Sequence, residues 1–414
     1  MSGGDGFWLP VPAPVLDWVS VVDHGAVGDG TTNDTAAIQA AVDATPAGGV
    51  CYFPVPAVEY KITAAISVPH SMALLGPASH PSDTEYGAVV QQATANTSAF
   101  IGPTTGSDHW SVEGLTILGI RTGQTAGAGI ESSQSIHVKR CRIDGFQDGL
   151  RVTSTSSGHH SYYSTVSESW FDSATRAGVR LVGIVNNFTM RDCRANSNGT
   201  GLQVVGGILG LRVYGGGLDL NSDYAIDIDG DDATTGINTA GVLISGVYME
   251  QASGDVEVRL GNTSTVYAVR IESCQFIRPS FTGGGTHIVA TNVDGLTIED
   301  CFFSSTSAVS ASSPATGVVY GRNYNMNAGT VTLPAGSIRL DEANVTPAAT
   351  DLASAVGTSH YLARADHVHD GTSGGVAPAQ VRDAGRWEAV VSGNPAAAVT
   401  TPSGDDWIYG WITA

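Results

Sequence analysis

"VKRCRIDGFQDGLRV" at 138–152 carries the periodicity that organises this chain. An apolar residue, Val138, is followed three positions on by Cys141, then by a second apolar residue, Ile143, an acid, Asp144, and a glycine turn into another alternating stretch. The next copies read "VSESWFDSATRAGVRLV" at 166–182 and "MRDCRANSNGTGLQVV" at 190–205. Eight segments share this register, starting at Val112, Val138, Val166, Met190, Val213, Ile244, Ile271 and Ile298, and the positions three residues in are spaced by 23 to 31 residues. Self-similarity at such a period marks a stacked architecture, each copy burying its apolar face against its neighbours.

The residues between the apolar positions say what is stacked. The position after each start is mostly polar (Glu113, Lys139, Ser167, Arg191, Ser245, Glu272, Glu299), the alternation of a strand rather than a helix. A second apolar column, Ile117, Ile143, Phe171, Ala195, Leu218, Met249, Phe276 and Phe303, lies two residues past the Cys141 position. Short strands such as "GVRLV" at 178–182 follow, entered through Gly, Asn and Asp of the kind turns require. About 25 residues at ~3.3 Å each make one triangular coil. The expected fold is therefore all-β, a single-stranded right-handed parallel β-helix with rungs ~4.8 Å apart.

Composition agrees. Gly is 52 of 414 residues and charged residues are 14%, so a long solenoid supplies the core instead of a compact α/β domain. A formal net charge of −20 argues against nucleic acid and anionic membrane as partners, since both need cationic patches. A neutral or amphoteric glycan is compatible. No apolar run approaches the ~18 residues of a membrane span, and no charged-then-apolar export signal opens the chain. Four of the five cysteines (Cys141, Cys193, Cys274, Cys301) share one inward column while Cys51 stands apart; buried reduced thiols are expected, without disulfides or clustered metal ligands.

"VVDHGAVGDGTTNDTAAIQAAVDA" at 21–44 resembles the opening of the pectate-lyase-like β-helix superfamily, an Asp-x-Gly-Ala-x-Gly-Asp-Gly run followed by an Asp-Thr-x-Ala-Ile-x-x-Ala helix start. The residues make sense by themselves. Gly25, Gly28 and Gly30 permit tight turns, Asn33 or Asp34 can cap a helix, and Ile38, Ala41 and Val42 form its apolar stripe, expected to cover the open first rung. The motif identifies scaffold rather than chemistry.

The C-terminal third leaves the repeat. "GTSHYLARADHVHDG" at 357–371 resembles a short signature of bacteriophage tail fibres and tail spikes, and residues 386–414 resemble the end of phage minor tail proteins. Two Lys (Lys61 and Lys139) against 17 Arg fit GC-rich coding. His367 and His369 are two apart, so on an extended strand both imidazoles point one way. In a monomer they are a solvated pair; in a parallel trimer, six nitrogens would suit an axial iron, nickel or zinc ion, with Asp366 and Asp370 as acceptors for the rings. The tail-fibre resemblance implies such an axial metal.

A candidate catalytic column comes from the register. One residue past the second apolar column, outward by parity, stand Asp144, Asp172, Asn196, Asp219 and Glu250, before Ile277 and Ser304 end the pattern. Asp144 and Asp172, one rung apart, would approach the ~5–5.5 Å of a retaining glycosidase, and Asp172 and Asp219, at ~9.6 Å, the inverting range of ~6.5–9.5 Å. Arg142, Trp170, Arg194 and Tyr248, with Asn196, are candidates for holding sugar rings, or Trp170 and Tyr248 for closing a trimer interface. A second reading is turn chemistry, because Asp and Asn bond their own backbone where strands enter turns. "DIDGDD" at 227–232 offers oxygens to Ca2+, or is a solvated loop.

Three functions compete: a phage tail spike or fibre that recognises a bacterial surface glycan, with or without depolymerising it through these carboxylates; a free polysaccharide lyase or hydrolase; and a purely structural tail component. The C-terminal resemblance favours the first, implying a homotrimer in the virion tail, made in the host cytoplasm, with other tail or baseplate proteins as partners. The organisation expected is an attachment segment at 1–20, the β-helix at 21–310, a transition at 311–356, the His connector at 357–375 and a small β-rich tip at 376–414.

Overall fold

Alternation along each copy sends Val138 and Ile143 inward and their neighbours outward, and the coils satisfy their backbone by pairing in parallel with the coils above and below. In this computed structural model the result is a parallel β-solenoid. The structure describes residues 18–339 except 79–80, 82–86, 105–108, 155–160, 231–236, 251–255, 279–285, 305–306, 313–314, 326–329 and 336, together with the strands Gln380–Arg382 and Arg386–Glu388. Its described strands form three parallel sheets, one of 14 strands and two of 11.

The repeat register is the pairing register. Val112, Val138, Val166, Met190, Val213, Ile244, Ile271 and Ile298 pair each with the next across adjacent coils. So do Ile117, Ile143, Phe171, Ala195, Leu218, Met249, Phe276 and Phe303 on the sheet that carries the candidate site. Both columns are buried, and at the C-terminal end Phe276 and Phe303 stack face to face at 4.7 Å. The stack is longer than the eight copies. Val19, Cys51 and Leu74 precede Val112 in its column and Tyr320 follows Ile298. Strands therefore continue to Ile338–Arg339, inside the stretch expected to be a transition, and the first strand, Trp18–Ser20, lies inside the expected attachment segment. Cys51, set apart in sequence, belongs to the column of starts.

All five thiols are free and buried. Desolvation pushes Cys51, Cys141 and Cys193 up to about 12, as expected of reduced cysteines used for packing.

The helix that follows the glycine motif, α1 (Thr35–Ala44), buries Ile38, Ala41 and Val42 in the solenoid core as expected. Of the two caps expected, Asn33 makes a bond to the first helical amide and Asp34 does not. Asp34 occupies the N-cap but makes no capping bond; its carboxylate instead accepts the Val27 and Gly28 amides at 2.7 and 3.1 Å, and Asn33 Oδ1 accepts from Thr35 N. The loop outcompetes the helix because Gly28, at φ +67° with Pro56 where a Cβ would stand, brings its N–H directly onto the acid.

The chain divides into two units at 359/360. In the second, Gln380–Arg382 and Arg386–Glu388 form an antiparallel pair. His367 and His369 lie outside the described residues, as does most of the aromatic, proline-spaced segment at 6–18. No described helix is long and apolar enough to cross a membrane.

Candidate active site

The outward face of one 11-stranded sheet carries two parallel columns. Asp144, Asp172, Asn196, Asp219 and Glu250 pair residue to residue on five successive rungs, preceded by Leu118 and followed by Ile277. Two residues earlier on the same strands run Arg142, Trp170, Arg194, Gly217, Tyr248, Gln275, Phe302 and Tyr324. The structure thus brings together all nine residues that the sequence singled out on this face. It adds one that the sequence did not, Arg121.

The first three residues of the column face outward without being solvent-side, which corrects the sequence reading there, whereas Asp219 and Glu250 are partly exposed. Asp144 is 1% exposed, and Asp172 and Asn196 are 9% exposed. The cause is a roof of guanidinium groups. Arg121, in the turn of the preceding coil, bonds Asp144 at 2.5 Å; Arg142 lies 3.3 Å from Asp144 and 3.6 Å from Asp172; Arg194 lies 3.9 Å from Asp172. Arg121 can come down only because Gly145 has no side chain: a Cβ there would stand 2.7 Å from the Arg121 side chain, at a backbone φ of +83°. Arg194 also lies 5.0 Å over the Trp170 ring, so that face of the indole holds a cation. Tyr248 donates its hydroxyl to Glu250 at 2.5 Å.

Turn chemistry does not explain the acids. The turns after them are closed by backbone bonds between coils, Gly145 N to Asp172 O, Ser173 N to Asn196 O, Ser197 N to Asp219 O and Leu220 N to Glu250 O. Among the described residues no backbone N–H reaches the carboxylates of Asp144, Asp172 or Asp219, and one oxygen of each, buried, has no hydrogen-bond partner. The backbone work is done two residues on, by a stacked asparagine pair. Asn198 and Asn221 bond each other at 3.1 Å and reach the carbonyls of Phe171 and Ala195. Their spacing, equal to that of Asn196 and Asp219 in the column, is the signal that would have revealed them.

Electrostatics separates the acids. Desolvation raises the Asp172 carboxyl above its ordinary value against the pull of Arg194 and Arg142. Asp219, desolvated and beside Glu250, with Arg194 opposing, is pushed up to about 6. The bond to Glu250 holds the Tyr248 hydroxyl at about 12. Both carboxyls are raised, Asp219 beside a second acid and Asp172 against two arginines, and such different surroundings suit different roles in proton transfer. Asp144, sealed under Arg121 and Arg142, is the least accessible of the set.

Of the other acidic candidates Asp231 and Asp232 lie outside the described residues, and the two that are described are used by the protein itself. In "DIDGDD" Asp227 takes a two-pronged bond from Arg259 (2.8 and 2.7 Å), and Asp229 accepts Thr263 N, Thr263 Oγ1 and Ser264 N. No group of three or more potential metal ligands occurs among the described residues. A buried Glu257–Arg278–His287 cluster near the C-terminal end of the stack was not legible in the sequence, because it joins positions outside the repeated columns.

Residues 18–211, just under half of the chain, match the family described as rhamnogalacturonase A/epimerase, pectate lyase-like. Solved structures extend the likeness along the solenoid. The A-module of mannuronan C-5 epimerase AlgE6 from Azotobacter vinelandii is 16% identical over 79% of this chain and 94% of its own, with a TM-score of 0.50. The Agl-KA catalytic domain is 15% identical over 80% of this chain and 64% of its own (TM-score 0.57). Tailspike protein 2 of Escherichia coli O157:H7 bacteriophage CAB120 is 15% identical over 76% of this chain and 43% of its own (TM-score 0.52). At such identities the likeness is one of fold. No curated protein sequence matches.

Proposed function

We propose that the protein is a phage tail spike or fibre that binds a bacterial surface polysaccharide on this face and cleaves it. The observation that carries the reading is the five-rung column of Asp144, Asp172, Asn196, Asp219 and Glu250, with carboxylate oxygens left unpaired beside arginine and aromatic side chains. Asp172 and Asp219 are two rungs apart, ~9.6 Å, at the upper end of the inverting range. Asp219, protonated up to about pH 6, gives its proton to the glycosidic oxygen as the bond to the anomeric carbon breaks. Asp172 takes a proton from the water that attacks that carbon from the opposite side. Arg142, Arg194 and Asn196 donate to sugar hydroxyl or carboxylate groups, and Glu250 with Tyr248 supports Asp219. The tail assignment is supported by the resemblance at 357–371 and by the fold shared with the CAB120 tailspike.

The decisive experiment incubates the purified protein with bacterial surface polysaccharides and sizes the products. Shorter chains with new reducing ends support hydrolysis, and unchanged polymer counts against it. A polysaccharide lyase would instead leave an unsaturated, ultraviolet-absorbing sugar at each new end.

The same reading includes a parallel homotrimer attached to other tail or baseplate proteins in the virion, with His367 and His369 of three chains holding an axial transition metal. These imidazoles bind metal only when neutral. Light scattering should return three chains per particle, and elemental analysis about one metal per three chains, lost below the His pKa of ~6.5.

A further inference from the structure

The outward column that begins with Arg142 and Trp170 does not stop at Tyr248. It continues through Gln275, Phe302 and Tyr324, paired rung to rung. Here the acids are gone, replaced by Ile277, and the surface changes character. Phe302 and Tyr324 stack at 5.5 Å with their planes 15° apart, and Tyr324 is 64% exposed. Beside them opens a hollow of about 500 Å3 lined by Ser273, Cys274, Gln275, Ile277, Asp300 and Phe302. Gln275 is exposed and its amide has no partner among the described residues. Asp300 is held by Arg322 at 3.5 Å on the hollow's rim. An aromatic wall with an amide, a hydroxyl and a carboxylate within one shallow opening suits a sugar ring, whose apolar face stacks while its edge hydroxyls bond. It suits a protein partner less well, since the hollow lacks a broad apolar floor.

We infer that the Gln275–Phe302 hollow is a distal sugar subsite of the same face, three rungs from Asp219, occupied only by fragments long enough to span from the acids. This rests on the glycan-cleaving reading of the carboxylate column. The rung of Phe302 is five steps from that of Trp170, ~24 Å, and three steps from that of Asp219, ~14 Å. One sugar unit covers roughly one rung, so about five units are needed to bridge the acids and the hollow. Chains of two or three units would reach only one of the two.

The test uses the full chain carrying Asp219→Asn, so that binding is measured without turnover. Immobilised protein is screened against a panel of bacterial capsule and wall polysaccharides. A polymer that binds is then cut by partial acid hydrolysis into fragments of two to eight units. Affinity should climb steeply until the fragments reach about five units and then level off. Tyr324→Ser and Phe302→Ala should each weaken the longer fragments by about tenfold while leaving fragments of two units unchanged, and Phe302→Trp should restore binding. Tyr324→Ser guards against misfolding, because so exposed a ring contributes little to the core. Affinity already level at two or three units, or long-fragment binding untouched by Tyr324→Ser, would overturn the distal subsite alone. Failure of every polymer to bind would overturn the glycan reading and the subsite together.

Discussion

Phe171 and Asp172 are adjacent on one strand, yet they belong to columns that follow different rules. The inward column asks only for apolar volume, and it ranges from Ala195 to Phe171 and Phe276 as the coil's cross-section varies. The outward column keeps acid or amide on five rungs, although even under the arginine cover one buried oxygen of Asp144, Asp172 and Asp219 stays unpaired. Like charges directly opposite across paired strands repel, and desolvation here raises the carboxyls of both Asp172 and Asp219. An arrangement that burdens the fold and satisfies no turn points to chemistry on the outer face.

Asp172→Asn should lower depolymerising activity by roughly 10²–10⁴-fold while shifting unfolding free energy by less than about 1 kcal/mol, because the amide keeps the volume and sheds the desolvation burden. Phe171→Ala should do the reverse, costing about 3–5 kcal/mol of stability through the cavity it leaves. Product sizing and urea unfolding read the two effects. A strongly destabilised Asp172→Asn protein with undiminished activity would make the outer column architectural.

Asp219 makes the outer column sensitive to pH. Its folded-state pKa is raised to about 6 from 3.8, so the folded protein holds this proton more tightly than the unfolded chain. The group therefore favours folding at and below about pH 4, and that contribution is lost as pH rises through about 6. Asp219→Asn should flatten this slope, seen as a smaller difference in urea midpoint between about pH 4.5 and about pH 7 than in the native protein. Activity should decline above about pH 6 as the general acid ionises. A slope unaltered by the substitution would show that Asp219 does not titrate there.

The inward column has its own probe. Cys141 and Cys193 are buried with thiols pushed up to about 12, so thiol reagents should modify them only after denaturation, read by mass spectrometry. Rapid labelling of the native protein would show the register to be wrong.

The two columns were legible to unequal depth. The inward positions could be read residue by residue because a parallel stack repeats its pairing, so that Val138, Val166 and Met190 fall in line however long the intervening loop. The outward column followed from parity alone. Its burial did not, since the cover comes from Arg121, a turn residue outside every column, and from the bend of Arg194 across Trp170. The asparagine pair stands two residues beyond the acids, where Asn reads as an ordinary turn residue. The solenoid's two ends escaped because Trp18–Ser20 and Ile338–Arg339 are strands too short to show alternation.

The smallest expected effect is the one that assigns Asp144. Arg121 is 61% exposed and the Asp144 carboxylate 1%, so Arg121→Ala removes one half of a pair whose other half keeps Arg142 at 3.3 Å. Water can reach the uncovered acid, and an ion pair with so exposed a partner is worth little, so stability should change by no more than about 1 kcal/mol. What matters is the stereochemistry of the product. If Asp144 only supports Arg142, cleavage proceeds in Arg121→Ala protein with inversion at the anomeric carbon, as in the native protein. If Asp144 is instead the nucleophile of a close pair with Asp172, one rung or ~4.8 Å away, both proteins will give retained products, and uncovering the acid will speed the reaction. Proton magnetic resonance of the first-formed anomer separates the two, and retention would move the chemistry one rung toward the N-terminus.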